Sequence, residues 1–296
     1  MEIRVLKYFL AVAQVGSITG AAKVLHLTQP TLTRQLKDLE KELGQQLLIR
    51  TNHNVVLTTE GLILKQRAQE IIEMVSKTEE EFSSLKNSIS GEVYIGSGET
   101  HSMKLIAKVI KEIQAEYKNI KFNLFSGNAE DVKEKLDKGL LDFGILIQPT
   151  DISKYDYLTL PSKDTWGLIM RKDSPLADKD FITKEDLFNI PLITSKQVSQ
   201  RLNIKNNYNE WFGKDINKLN IVATYNLVYN AGLMVEEKIG YALGLNKLID
   251  ANSSLCFKPL QPKLEAGLDI VWKKHQVFST AAKIFLDKIK KKYSDP

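Results

Sequence analysis

The chain has 296 residues, 43% of them hydrophobic, a single cysteine and a formal net charge of +5. That length can bury real cores and suits two or three domains, while the lone Cys256 rules out an internal disulfide framework and reads as a small apolar residue. The mild positive charge permits a nucleic-acid partner without arguing for one, and the stretch from Met1 to Lys7 has no uncharged h-region. With no run of about 18 apolar residues anywhere, a cytoplasmic protein without a membrane partner is expected.

Leu6, Phe9, Leu10 and Ala13 recur at helical spacing in a first helix, which Gly16-Ser17 ends while offering a serine cap to the next. Ala21, Ala22 and Leu25 form the inner side of a short second helix, small enough for close approach at a tight turn. Thr28 caps a third helix, whose first turn tolerates Pro30. Leu32, Leu36, Leu39 and Leu43 give that helix one buried stripe, and Pro30, Arg34, Lys37 and Lys41 project opposite it, with Thr33 beside them. Gln29, Thr31 and Thr33 at its N-terminus can donate to phosphate or read base edges, as a recognition helix in a major groove does. An ordinary amphipathic helix with solvated charges fits this segment equally well. Leu47 to Arg50 and Val55 to Leu57 read as two strands around a polar turn, a wing that would bring Arg50 and His53 to the DNA backbone. His53 also reads as a plain turn residue. Residues 1–58 carry seven Lys or Arg against four Asp or Glu, whereas residues 59–90 carry four against six, so the N-terminal segment is the more basic of the two.

Leu64, Ala68, Ile71, Val75, Thr78, Phe82 and Leu85 alternate by four and three, the seam of a two-helix coiled coil. Packing against the rest of the chain is the alternative. After Ser90-Gly91 the rhythm becomes βαβαβ: strands at Val93 and Ile95, Ile120 to Phe125 and Leu141 to Ile147, helices at Met103 to Tyr117 and Ala129 to Lys138. Strands at Trp166 to Met170, Leu192-Ile193 and Ile221 to Ala223 suggest a second α/β lobe. A strand at Leu268 to Trp272 and a helix from Phe278 to Tyr293 return to the first. Lys288, Lys290, Lys291 and Lys292 at the helix end read as solvated charges.

The run from Phe9 to Gly61 resembles the winged helix-turn-helix of LysR-type transcriptional regulators. The likeness rests on Ser17 to Ala22 (Ser-x-Thr-x-Ala-Ala), Leu25 to Pro30 (Leu-x-x-x-Gln-Pro), Leu39 to Gly44 (Leu-Glu-x-x-Leu-Gly) and Leu57 to Gly61 (Leu-Thr-x-x-Gly). Thr33 stands where that family usually has serine, Leu48 where it has phenylalanine, and Gly20 where a polar or basic residue is frequent. The later region resembles the family's effector-binding domain through "GLLDFGI", "KDSPLA" and "NLVYNAGLMVEEKIGYALGL", with Gly244-Leu245-Asn246 where proline is usual.

The resemblance implies an α/β architecture with an N-terminal winged helix-turn-helix (1–58), a long dimerising linker helix (59–90) and a two-lobed, periplasmic-binding-protein-like effector domain (91–296). Lobe I would span about 91–161 and 268–296, and lobe II about 162–267. The implied function is sequence-specific transcriptional regulation controlled by a small-molecule co-inducer between the lobes. Implied partners are double-stranded DNA with two half-sites, the effector, the chain itself as homodimer or homotetramer, and RNA polymerase. Expected DNA contacts are Ser17, Gln29, Pro30, Thr31, Thr33, Arg34, Lys37, Arg50 and His53.

The family's first pocket loop matches Ser97 to Ser102, giving Gly98, Thr100, His101 and Ser102 as effector contacts. Carry-over by position adds Ser126, Gly127, Gln148, Thr194, Ser195, Lys196, Tyr225 and Asn226, each of which also reads as a cap or turn residue. Glu99 leaves two outcomes open. Turned to solvent, it lets an anion sit on Thr100 with Lys196 across the cleft; turned inward, it favours a neutral polar or amine-bearing ligand. No Gly-x-Ser-x-Gly, Walker or His-Glu-x-x-His sequence occurs, and His26, His53, His101 and His275 lack ligand spacing, so neither an enzyme nor a metal site is expected. The rival readings are a solute-binding or enzymatic α/β domain with an accessory helical segment, and an architectural DNA binder with a collapsed cleft.

Overall fold

A computed structural model describes residues 1–50, 54–83, 89–196, 207–250 and 252–294. The chain divides into two units, Met1–Ser83 and Ser84–Pro296.

In the first unit α1 (Ile3–Val15), α2 (Ile18–Val24) and α3 (Gln29–Leu43) are followed by the hairpin β1 (Leu48–Arg50) and β2 (Val55–Leu57), then by α4 (Thr59–Ser83). Gly16 adopts the left-handed conformation (φ 69°) that closes α1, and its carbonyl accepts the Val55 amide at 2.8 Å, tying the hairpin to the first turn. Ser17 caps α2 by accepting the Gly20 amide, and Thr28 caps α3 by accepting that of Thr31. His26 supplies the left-handed residue (φ 53°) between the two helices. The core is Val5, Phe9, Val12, Ala21, Ala22, Leu32, Leu36, Leu39, Leu47 and Leu48. Leu43 departs from the expected stripe: it is 40% exposed, because α3 ends there and Gly44 turns the chain away.

Three residues brace the hairpin further. Glu40 accepts the amides of Leu47 (2.9 Å) and Leu48 (3.0 Å) through one carboxylate oxygen. The Thr58 hydroxyl donates to the Gln46 carbonyl at 2.7 Å and accepts the Gly61 amide at 2.9 Å, joining β1 to the first turn of α4. Gly61 lies against the Leu47 carbonyl, where a Cβ would stand 2.2 Å from the oxygen.

α4 has 25 residues, about 37 Å at 1.5 Å per residue. Leu64 packs on the helix-turn-helix core, Ala68 is fully buried, and α1 runs against α4, so the start of the expected seam is filled within the unit itself. Leu62, Ile63 and Phe82 remain exposed. Leu85 lies outside the described residues.

The second unit contains β3 (Ser90–Ser97), α5 (Met103–Glu116), β4 (Asn119–Ser126), α6 (Ala129–Asp137), β5 (Phe143–Ile147) and β6 (Tyr155–Arg171). Then come α7 (Lys184–Leu187), β7 (Pro191–Ser195), α8 (Asn207–Phe212), β8 (Asn220–Tyr225), α9 (Val228–Glu236) and β9 (Tyr241–Leu245). β10 (Leu255–Pro259), β11 (Glu265–Lys273) and α10 (Thr280–Tyr293) complete it. The strands form one sheet in the order β4-β3-β5-β11-β6-β9-β7-β8, with β10 also on β6. β4, β3 and β5 are parallel, as the βαβαβ rhythm requires, and so are β8, β7 and β9.

The 17-residue β6 runs through both lobes, pairing with β11 along its first part and with β9 and β10 along its second. Only its Trp166 to Met170 portion was expected as strand, because Lys163 and Asp164 break the apolar pattern before it; β10 carried no readable alternation. The β11–β6 register shifts between Gly267, opposite Lys163, and Leu268, opposite Leu160. Separate cores lie on either side: Ile95, Ile106, Phe143, Ile270 and Phe285 in the first lobe, and Leu168, Leu192, Phe212 and Leu243 in the second. Phe143 stacks on Phe278 with ring centroids 5.2 Å apart. The α10 lysines are not merely solvated: Lys288 and Lys292 pair with Glu116 and Glu112 of α5, and Lys290 lies over the Trp272 ring. Lys292 and Lys288 hold the Glu112 carboxyl below its ordinary range.

Candidate functional site

On the first unit the outward side of α3 presents Gln29, Pro30, Thr31, Arg34 and Lys37, all exposed, with Thr33 half-buried among them. The Gln29 amide donates to the Thr33 hydroxyl at 2.8 Å, and the Thr28 and Thr31 hydroxyls share a hydrogen bond of 2.8 Å, so this end of the helix is braced by its own side chains. Arg34 and Lys37 have no ion-pair partner among the described residues. Ser17 accepts the Gly20 amide and so serves first as a cap. Arg50 ends β1; His53 falls outside the described residues.

In the second unit a cavity of about 260 Å³ opens between the lobes, walled by Gly98, Glu99, Thr100, Met103, Phe125 and Ser126 of one lobe and by Val228 and Leu248 of the other. Glu99 turns inward. Its carboxylate accepts the amide of Val228, the first residue of α9, and so joins the two lobes. Behind the loop sits Asp164 of β6, 3% exposed, which accepts the Thr100 hydroxyl and, at 3.0 Å, that of Ser102. Ser102 in turn takes part in a 2.7 Å hydrogen bond with the Ser162 hydroxyl, and its amide donates to the Thr100 oxygen at 3.0 Å. The two hydroxyls expected to greet a ligand are therefore committed to a buried carboxylate.

Of the other expected contacts, Ser126 is exposed in the cavity wall. Gly127 lies next to it, its amide donating to the Ser97 carbonyl at 3.0 Å. His101 is exposed and outside the wall. Gln148 belongs elsewhere: it donates to both oxygens of Asp269 at 3.0 and 2.9 Å and lines a different cavity of about 440 Å³ with Lys163, Trp211, Lys263 and Glu265. Gly267 makes room for it, since a Cβ there would stand 2.4 Å from its side-chain oxygen. Tyr225 donates its hydroxyl to the Leu243 carbonyl at 2.7 Å, and Asn226 accepts the Leu227 amide at 3.0 Å. Thr194 is 2% exposed and its hydroxyl has no partner among the described residues. Ser195 is half-buried and Lys196 exposed, and neither lines the 260 Å³ cavity. The structure thus gathers Gly98, Thr100 and Ser126 around Glu99 and places the remainder outside that wall. Asn246, at the slot where proline was the expectation, exchanges two hydrogen bonds with Thr165: its amide donates at 2.9 Å and its side-chain oxygen accepts at 3.0 Å. Proline could do neither. Burial pushes the Cys256 thiol above its ordinary range, against a weaker pull from Lys258 and Lys172, which keeps it protonated near neutral pH.

Residues 86–294 match the LysR substrate binding domain. The chain belongs to the LysR family of transcriptional regulators. Residues 3–62 match the helix-turn-helix of bacterial regulatory proteins of the lysR family. The chain is 33% identical to the uncharacterized HTH-type transcriptional regulator YvbU of Bacillus subtilis over 194 residues, 65% of each chain. It is 28% identical to the uncharacterized HTH-type transcriptional regulator YfeR of Shigella flexneri over 98% of this chain and 93% of that one. Among solved structures, CbnR, a LysR family transcriptional regulator, superposes with a TM-score of 0.76 at 18% identity over 100% of both chains. CbnR complexed with its target DNA gives 0.73 at 18% identity, over 98% of this chain and 99% of that one. Like its LysR relatives, this chain joins a DNA-binding helix-turn-helix to a substrate-binding domain.

Two features of this site lie beyond what the sequence alone discloses. Glu99 reads as an acid in the pocket loop, but nothing local says which way it turns. Asp164 and Ser162 carry no signal, since they reach the loop only through the pairing of β6 with β11.

Proposed function

We propose that this LysR regulator reads operator DNA through α3 and is switched by a small molecule held between its two lobes. The exposed, unpaired Arg34 and Lys37 beside the braced Gln29–Thr33 pair carry this reading: a basic helix face with no internal use for its charges suits phosphate and base contacts. Gln29, Pro30, Thr31, Thr33, Arg34 and Lys37 form the groove surface, and Ser17, Arg50 and His53 complete the proposed set of DNA contacts. The solved complex of CbnR with its target DNA supports the mode of use. Arg34→Ala should weaken operator binding by about 1 to 3 kcal/mol if the guanidinium reads a base, and more uniformly across sequences if it holds phosphate. DNA-retention titrations of Gln29→Ala and Arg34→Ala measure this, and unchanged affinity in both folded variants overturns the assignment.

In this reading the lobes meet at the β11–β6 register shift, with lobe I at about 91–161 and 268–296 and lobe II at about 162–267. The open cavity between Glu99 and Val228 favours an effector-controlled regulator over an architectural DNA binder. Gly98, Thr100 and Ser126 line it, and of the two hydroxyls the one on Ser126 is open to a ligand. The protein works in the cytoplasm, without a catalytic step, and engages RNA polymerase once on DNA.

The dimer forms along α4, whose Leu62, Ile63 and Phe82 would otherwise stay in water. Ile71→Asp together with Phe82→Asp should raise the dimer dissociation constant at least tenfold, because a carboxylate buried without a partner is expensive. Sedimentation of the full chain reads this out, and a monomeric wild-type protein sinks it.

A further inference from the structure

We propose that Glu99 sets the ligand class of the interlobe cavity. Its carboxylate occupies the start of α9 that a ligand carboxylate or phosphate would take, so the cavity rejects anions and accepts neutral or ammonium-bearing molecules with an apolar body. The proposal rests on reading this cavity as the effector site.

Three independent observations converge. First, Glu99 spans the lobes to accept the Val228 amide, so the partial positive charge at the start of α9 is already neutralised from within the chain. Second, the hydroxyl donors of the pocket loop are spent. The hydroxyls of Thr100 and Ser102 go to Asp164, the Ser102 amide to the Thr100 oxygen and the Gly127 amide to the Ser97 carbonyl. The Ser97 hydroxyl donates to the Gly98 carbonyl at 2.7 Å. Third, among the described residues the wall contains no basic side chain: its one charged group is Glu99, and Met103, Leu124, Phe125, Val228 and Leu248 supply the rest of its bulk. Asp164, buried 3% exposed behind Thr100 and bonded only to hydroxyls, adds a second negative charge to the same side. An incoming anion would meet two carboxylates, and among the described residues Ser126 is the one hydroxyl of the wall not already bonded. A protonated amine gains from both, while an aliphatic or aromatic body fits the apolar wall.

The test uses the full-length protein and acetate as the probe, compared with sodium chloride at equal ionic strength. In Glu99→Ala the vacated helix start should take up acetate, giving a saturable rise in melting temperature and an affinity at least tenfold tighter than that of wild type. Wild type should respond to acetate no more than to chloride. Glu99→Gln, which keeps the shape and an acceptor for the Val228 amide, should stay as blind to acetate as wild type. Where Glu99→Ala is too unstable to melt cleanly, Glu99→Gly is examined by broadening of the ¹³C-acetate resonance. An equal acetate response in wild type and Glu99→Ala, or none in any variant, overturns the proposal. Operator retention is measured on the same samples. Loss of DNA binding in every one of them defeats the regulator reading and leaves the acetate result standing, whereas intact DNA binding with the wrong acetate pattern defeats the role of Glu99 alone.

Discussion

Gly61→Ala should destabilise the DNA-binding unit by about 3 kcal/mol and abolish operator binding near the growth temperature. The added methyl would stand 2.2 Å from the Leu47 carbonyl oxygen, well inside contact distance, and its obstacle is backbone rather than the end of a flexible side chain. Relief requires the first turn of α4 to withdraw from β1. That would pull the Thr58 hydroxyl from the Gln46 carbonyl and the Gly61 amide from Thr58. Gly20→Ala is the control. Its methyl would meet Val15 Cγ1 at 2.8 Å, but a side-chain methyl can rotate away, and alanine gains helix propensity, so a net change within about 1 kcal/mol is expected. Urea titration of both variants, followed by circular dichroism, separates the two. Equal midpoints would show that the α4–β1 contact yields easily.

Glu40→Ala should cost about 2 to 4 kcal/mol, since one carboxylate oxygen serves the Leu47 and Leu48 amides and its removal strands two part-buried donors. Glu40→Gln keeps an oxygen in place and should lose about half as much or less, the difference being the charge-assisted share of each bond. The loss should fall on the hairpin first, because these amides anchor the entry to β1. Hydrogen exchange at Leu47 and Leu48 is the direct reading, and protection unchanged in Glu40→Ala would refute the assignment.

These two residues also show what the sequence made legible. The Leu-Glu-x-x-Leu-Gly and Leu-Thr-x-x-Gly elements signalled the winged fold as patterns, and the structure supplies their physical content: Glu40 holds the strand, Thr58 caps the helix and Gly61 lets backbone touch backbone. Helix boundaries in this unit followed from local chemistry, with Gly16, Ser17 and Thr28 acting where the chain changes direction. The second unit was legible as parallel βαβ rhythm but not in its long strand, whose middle carries Lys163 and Asp164. A strand running between two lobes need not alternate, since its neighbours change along its length. The cavity was least legible. Loop position nominated Thr100 and Ser102, yet whether a hydroxyl faces a ligand or a carboxylate 62 or 64 residues away depends on tertiary pairing.

The excess in β6 at the junction has a mechanical consequence. Between Leu268 and Gly267 the β11 strand advances one step while β6 goes from Leu160 to Lys163, leaving Pro161 and Ser162 outside the ladder. Proline has no amide hydrogen to forfeit, so the omission there is cheap. The ribbon therefore carries its slack at one point, flanked by paired lengths that resist bending, and any rotation of one lobe against the other would concentrate there as torsion. Ser162 lies within that slack and is also bonded to Ser102 at 2.7 Å. That bond ties the junction to the loop that walls the cavity, so any twist there would be passed to the loop.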